Sequence, residues 1–234
     1  MNTNSNSYTM IYAAVMVIVV AFMLSFTSGV LKEKQGKNVE LDKKKQILTS
    51  LKVDTKGQDV EKLYAGIVKK EIVVDLQGAL KSEEGGFGID IAKENAKKPE
   101  ARELPVYVCE VEGATKYVFS MRGTGLWGPI WGYLSMNDDL NTVYGSYFSH
   151  AGETPGLGAE IATHNFQNEF VGKKILNAEG EFVSIAVVKA GMTAEGQDCV
   201  DGISGGTITS NGVDIMLKES ISQYTNYIKL NRGN

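Results

Sequence analysis

Asp201-Gly202-Ile203-Ser204-Gly205-Gly206-Thr207-Ile208-Thr209-Ser210 packs three glycines and four hydroxyl side chains into ten residues. Glycine lets the backbone bend tightly and brings its amides close to a ligand. An amphipathic run follows from Val213 to Ile228, with Ile215, Ile221, Tyr224 and Ile228 recurring at about helical spacing as candidate core positions. A glycine-dense bend at the head of a helix presents unpaired amides and the positive end of the helix dipole, which suits a phosphate. The same pattern also makes an ordinary structural turn, and the lysine of a P-loop is missing. Residue chemistry alone leaves both readings open.

Upstream of this loop lie four short apolar runs bounded by Gly, Asn or Asp: Val106 to Val111, Lys116 to Met121, Ile130 to Met136 and Thr142 to Phe148. They predict an antiparallel sheet. Leu157 to Phe166 predicts a helix and Phe182 to Lys189 alternates as a strand. Further upstream, Asp59 opens a short helix through Leu63 and Ile67, the β-branched run Ile72 to Val74 follows as a strand, and Gly85, Gly86 and Gly88 open a loop. The polar stretch Lys93 to Arg102 reads as solvated surface. The fold class is α+β, an antiparallel sheet with flanking helices.

The chain begins differently. From Tyr8 to Leu31 no side chain ionises except Tyr8 and Tyr12, and Met10 to Phe26 is almost wholly apolar. About 20 apolar residues at a 1.5 Å rise cross a bilayer, whereas a cleaved signal has a basic start and a shorter apolar centre. A retained transmembrane helix is expected. Lys32, Lys34, Lys37 and Lys43 to Lys45 follow the span and by themselves favour a cytoplasmic side, a rule that loses force for long translocated domains. Asn38 is expected to cap a separate connector helix carrying Val39, Leu41, Ile47, Leu48 and Leu51. The organisation is then a tail over 1–7, a transmembrane helix over 8–31, a helical connector over 32–70 and a folded domain over 71–234.

Composition removes several functions. The formal net charge of −4 offers no basic surface for nucleic acid. Cys109 and Cys199 lack metal-ligand spacing and read as small buried residues, or as a disulfide in an oxidising compartment. His150 and His164 have no ligand set around them for a metal or a triad. No Gly-x-Gly-x-x-Gly unit stands between a predicted strand and a predicted helix, so nicotinamide binding is not expected here.

Asp201-Gly-x-Ser-Gly-x-Thr207 resembles the flavinylation motif of FMN-binding domains in the C subunits of sodium-translocating NADH:quinone reductases and in the related Rnf electron-transport proteins. Two further stretches are similar to signatures of those C subunits: Gly123-Thr124-Gly125-Leu126-Trp127-Gly128-Pro129-Ile130-Trp131-Gly132, and His150-Ala151-Gly152-Glu153-Thr154-Pro155-Gly156-Leu157-Gly158-Ala159-Glu160. The resemblance implies an FMN joined covalently to Thr207 through its phosphate by a flavin transferase. It implies that Asp201, Gly202, Ser204, Gly205 and Gly206 form the attachment loop, and that Leu126, Trp127, Glu153, Thr154 and Leu157 line the flavin ring, with Glu153 biasing its protonation or potential. It departs at Gly206, where the family usually has alanine. Without the resemblance, Trp127 and Trp131 read as core aromatics and Glu153 as a helix-start residue.

The implied role is electron relay, one electron at a time, in a sodium-translocating NADH:quinone oxidoreductase whose other subunits oxidise NADH. The implied place is the bacterial cytoplasmic membrane, held in lipid by one helix, with the domain on the extracytoplasmic side where the transferase works. The alternatives are an Rnf-type ferredoxin-linked subunit and an anchored scaffold that carries no flavin.

Overall fold

The strands here are short apolar runs whose successive side chains point to opposite faces of the sheet. In Leu104–Val111 (β3) and Ala114–Thr124 (β4), Val106 and Phe119 point to one face, while Tyr107 and Val118 point to the other. The computed structural model describes residues 5–232. It adds Val68–Val74 (β1), Leu80–Ser82 (β2), Pro129–Met136 (β5) and Val143–His150 (β6), giving a six-stranded antiparallel sheet in the order β2-β1-β3-β4-β5-β6.

Both faces of this sheet are covered, so its strands are apolar on both sides. Val106, Phe119 and Leu134 line up across three strands and meet Val213, Met216, Leu217 and Ile221 of the helix Thr207–Ser222 (α5) in one core. Burying each such side chain contributes about 1.5–3 kcal/mol. On the opposite face Tyr107 and Tyr133 pack edge to face. Here the end of the long helix Asn6–Ser50 (α1) is tied down: Trp131 Nε1 donates to Gln46 Oε1 at 3.1 Å, and Ser135 Oγ donates to the Ser50 carbonyl at 2.5 Å. A helix end buried among apolar groups needs such partners for its last carbonyls. Ile47, Leu48 and Leu51 are fully buried, and Val60 and Tyr64 of Val60–Ile67 (α2) are nearly so. The expected start of α2 holds, since Asp59 accepts from the Lys62 amide.

The chain divides into two units, Met1–Lys43 and Lys44–Asn234. The first is helical: α1 contains a stretch long and apolar enough to cross a membrane, none of it buried in protein. Residues 1–4 of the expected tail lie outside the described residues, and Asn6 and Ser7 already belong to α1.

Several elements differ from expectation. Asn38 is not a cap, because α1 runs unbroken from Asn6 to Ser50. The stretch 93–102 is more than surface: it takes up the end of the helix Ile91–Asn95 (α3), Glu94 is buried and accepts from the Glu103 amide, and Arg102 donates to the Asn95 carbonyl and to Gln223. In place of one helix over 157–166 there is a 3₁₀ segment, Gly158–Ala162, then His164–Asn168 (α4). Of the expected strand, Ala186–Val188 (β7) pairs in parallel with Cys199–Asp201 (β8), and Phe182 makes an isolated antiparallel bridge with Leu176. The last helix starts earlier, at Thr207, and breaks before Thr225–Asn231 (α6). Ile215 is exposed on it, and Val213, Met216 and Leu217 take the core face instead.

Candidate functional site

Thr207 is the first residue of α5, and Gly206 before it provides no side-chain cap. The helix start therefore keeps its positive end available. The loop leading in is closed on itself: the Gly206 amide donates to the Ile203 carbonyl at 3.0 Å, and the Ile203 amide donates to Ser210 Oγ at 2.9 Å. Gly205 sits at φ 74°, where a side chain is disfavoured, and a Cβ there would lie 2.7 Å from Leu157 Cδ2. At Gly206 a Cβ would stand 3.1 Å from the Cβ and Cγ2 of Ile203, tight but movable, so glycine suits this turn well.

The two threonines of the loop are not equivalent. Thr207 is exposed, while Thr209 is 1% exposed and donates its hydroxyl to Glu153 Oε2 at 2.6 Å. The other oxygen of Glu153 accepts from the Trp127 amide at 2.8 Å, and the Glu153 amide donates to His150 Nδ1 at 3.0 Å. A buried carboxylate requires donors of this kind.

Near the start of α5 the structure thus joins three separated segments: the Glu153 carboxylate bonds Trp127 and Thr209, and Leu157 lies against Gly205. Leu126, Trp127, Leu157 and Ile208 are exposed apolar side chains. Thr154 is exposed, and its carbonyl accepts from the amides of Leu157 and Ala159. Ser204 is exposed beside Gly205. Asp201 faces the neighbouring loop: its Oδ1 accepts from the Gly191 amide at 3.2 Å, and its own amide donates to Glu169. The Gly202 amide donates to the Val188 carbonyl, and a Cβ there would press on that carbonyl and on Ser210. Trp131 belongs to the opposite face of the sheet, bonded to Gln46. Sequence reasoning did not assign roles to Ser210 or Gly158, nor find the partners of Thr209 and Gly125, which both meet Glu153 across a long stretch of sequence. An open cleft of roughly 590 Å³ between residues 49–55 and 164–171 contains none of the loop residues.

These features fit a phosphate-bearing ligand with a flat ring. An exposed hydroxyl stands at an uncapped helix start, a glycine leaves no room for a side chain at the bend, and exposed apolar groups lie beside it.

Comparison with known proteins agrees with this geometry. A model of the FMN-binding domain matches residues 125–222, which span all the segments just described. The C subunit of the Na(+)-translocating NADH-quinone reductase of Haemophilus ducreyi is 34% identical over 234 residues, covering 93% of this chain and 90% of that protein. The crystal structure of the same subunit from Parabacteroides distasonis shares 47% identity with a TM-score of 0.79, over 85% of this chain and 96% of that one. The crystal structure of Shewanella oneidensis NqrC, 22% identical with a TM-score of 0.71, has the same fold over 84% of this chain and 100% of that one.

Proposed function

The chain belongs to the family of C subunits of Na(+)-translocating NADH-quinone reductases, and from that premise we propose that it carries FMN covalently on Thr207 and relays electrons singly between neighbouring redox centres of a membrane complex. The observation that carries this reading is the contrast between the two loop threonines. Thr207 offers an exposed hydroxyl at a positive helix start, whereas Thr209 is buried and already bonded to Glu153. In the adduct the flavin phosphorus exchanges one P–O bond to its leaving group for a bond to Thr207 Oγ1, and the hydroxyl proton departs with that group, a joining done by a flavin transferase.

FMN supplies a carrier that takes up two electrons and passes them on one at a time. The residues of this chain hold it. The uncapped amides of α5 and the bend at Gly205 and Gly206 receive the phosphate, and Leu126, Trp127 and Leu157 provide apolar surface beside it. A covalent tether prevents loss of the cofactor and restricts its distance to partner centres. NADH oxidation belongs to other subunits. The apolar stretch of α1 is retained as a single span within 8–31 of the bacterial cytoplasmic membrane, with the chain from residue 32 onward, the FMN-binding domain included, on the extracytoplasmic side.

Denaturing electrophoresis of protein from the native host, where the transferase is present, tests the attachment. The expected result is a flavin-fluorescent band for the natural chain and a dark band for Thr207→Ala. A dark natural chain, or fluorescence that survives Thr207→Ala and disappears in Thr209→Ala, contradicts the proposal.

A further inference from the structure

We propose that Glu153 is a positioning residue: its buried carboxylate latches the Leu126–Trp127 turn to the first turn of α5 and so sets the surface beside Thr207. The functional meaning of the latch rests on Thr207 as the FMN site; the latch itself does not.

Glu153 is 5% exposed, and its two oxygens are divided between two elements that are far apart in sequence. Oε1 takes the Trp127 amide at 2.8 Å, and Oε2 takes the Thr209 hydroxyl at 2.6 Å. Both are charge-assisted bonds of short length. The slot is shaped to the bonded pair: a Cβ on Gly125 would lie 2.6 Å from Oε1, and a Cβ on Gly158 would run into the Thr209 hydroxyl and lie 2.5 Å from Oε2. Two glycines from different loops thus leave room for one side chain.

The base of the turn packs on α5 where Thr124 meets Gly212, and beyond it the Glu153 carboxylate ties the tip to the helix. Leu126 and Trp127 are 50% and 68% exposed, so packing fixes them weakly. The turn's own bond, from the Gly125 amide to the Gly128 carbonyl at 2.8 Å, closes the turn and does not attach it to the helix. Without the Glu153 carboxylate, the buried Thr209 hydroxyl and the part-buried Trp127 amide lose their acceptor.

Glutamine separates geometry from charge. In Glu153→Gln, Oε1 still accepts from the Trp127 amide, and Nε2 donates to Thr209 Oγ1 in place of accepting from it. A latch survives this change. A residue that acts on the flavin through its negative charge does not.

The test is hydrogen exchange, read by mass spectrometry, on the full chain purified in detergent without flavin. Glu153→Ala is expected to raise exchange in peptides over 125–130 by about tenfold, with the β4 and β5 core amides still protected. Glu153→Gln is expected to restore natural rates and, in flavin-bearing protein from the native host, to leave the flavin midpoint potential unchanged. Gly158→Ala keeps the carboxylate but displaces it, and is expected to behave as Glu153→Ala does. Should Glu153→Ala unfold the domain, Gly158→Ala and Thr209→Val decide, each weakening one side of the latch. Unchanged exchange over 125–130 in these variants overturns the latch, and so does a glutamine variant that behaves like alanine. If the natural chain carries no flavin, the Thr207 reading fails while the exchange result stands.

Discussion

Cys109 and Cys199 are chemically alike in sequence and unlike in place. Cys109 lies on β3 at 1% exposure, where burial pushes its thiol up to about 12, helped by the negative charge of Glu71. Cys199 lies on β8, partly exposed, and both are free thiols. Only a thiolate is alkylated readily. Iodoacetamide at mildly alkaline pH is therefore expected to label Cys199 alone in the folded chain and both cysteines after denaturation, as counted by mass spectrometry; equal labelling in the folded state contradicts this. The sign of the linkage follows. The folded thiol keeps its proton where the unfolded one, near about 8.5, releases it, so Cys109 supports folding below that pH and this support is lost as pH rises toward 12. At this scale the sequence identified the exposed threonine but not its buried neighbour's partner. Thr209 and Glu153 stand 56 residues apart, and no local pattern announces a bond across that distance.

Elements were legible where periodicity was strong and hidden where propensity misled. The four central strands were found nearly to their ends, because a sheet covered on both faces writes short apolar runs bounded by Gly, Asn or Asp. The first turns of α5 were missed. Thr207, Ile208, Thr209 and Gly212 are weak helix formers, and the helix exists there because tertiary packing overrides them. Gly212 shows how. A Cβ at this position would run into the Thr124 carbonyl oxygen, so α5 approaches β4 more closely than alanine allows. Gly212→Ala is expected to destabilise the domain by about 1–2 kcal/mol, overpacking outweighing the gain in helix propensity. Gly66→Ala in α2, where nothing lies within 4 Å, is expected to stabilise by up to about 1 kcal/mol. Denaturant melts measure both, and equal signs contradict the close approach. The break before α6 was invisible for a related reason, since Ile221, Tyr224 and Ile228 stay buried on both sides of it and the apolar pattern does not falter.

The fold class followed from the sequence because each part has its own signature: an uncharged apolar run in α1, short bounded strands for the sheet, and an amphipathic stretch for α5. The layer on the second face did not, because Gln46, Ile47, Leu48 and Leu51 read as connector, and their burial depends on Trp131 and Ser135 far along the chain. The site unites three segments, from the β4–β5 turn, the loop after β6 and the start of α5, and the proposed attachment of FMN to Thr207 would give that convergence its purpose. Mass spectrometry of the tryptic fragment Ala190–Lys218, from protein made in the native host, tests this most directly. The expected mass is that of the peptide plus FMN less one water, with fragmentation placing the addition on Thr207; the unmodified mass, or an addition on Thr209, contradicts it.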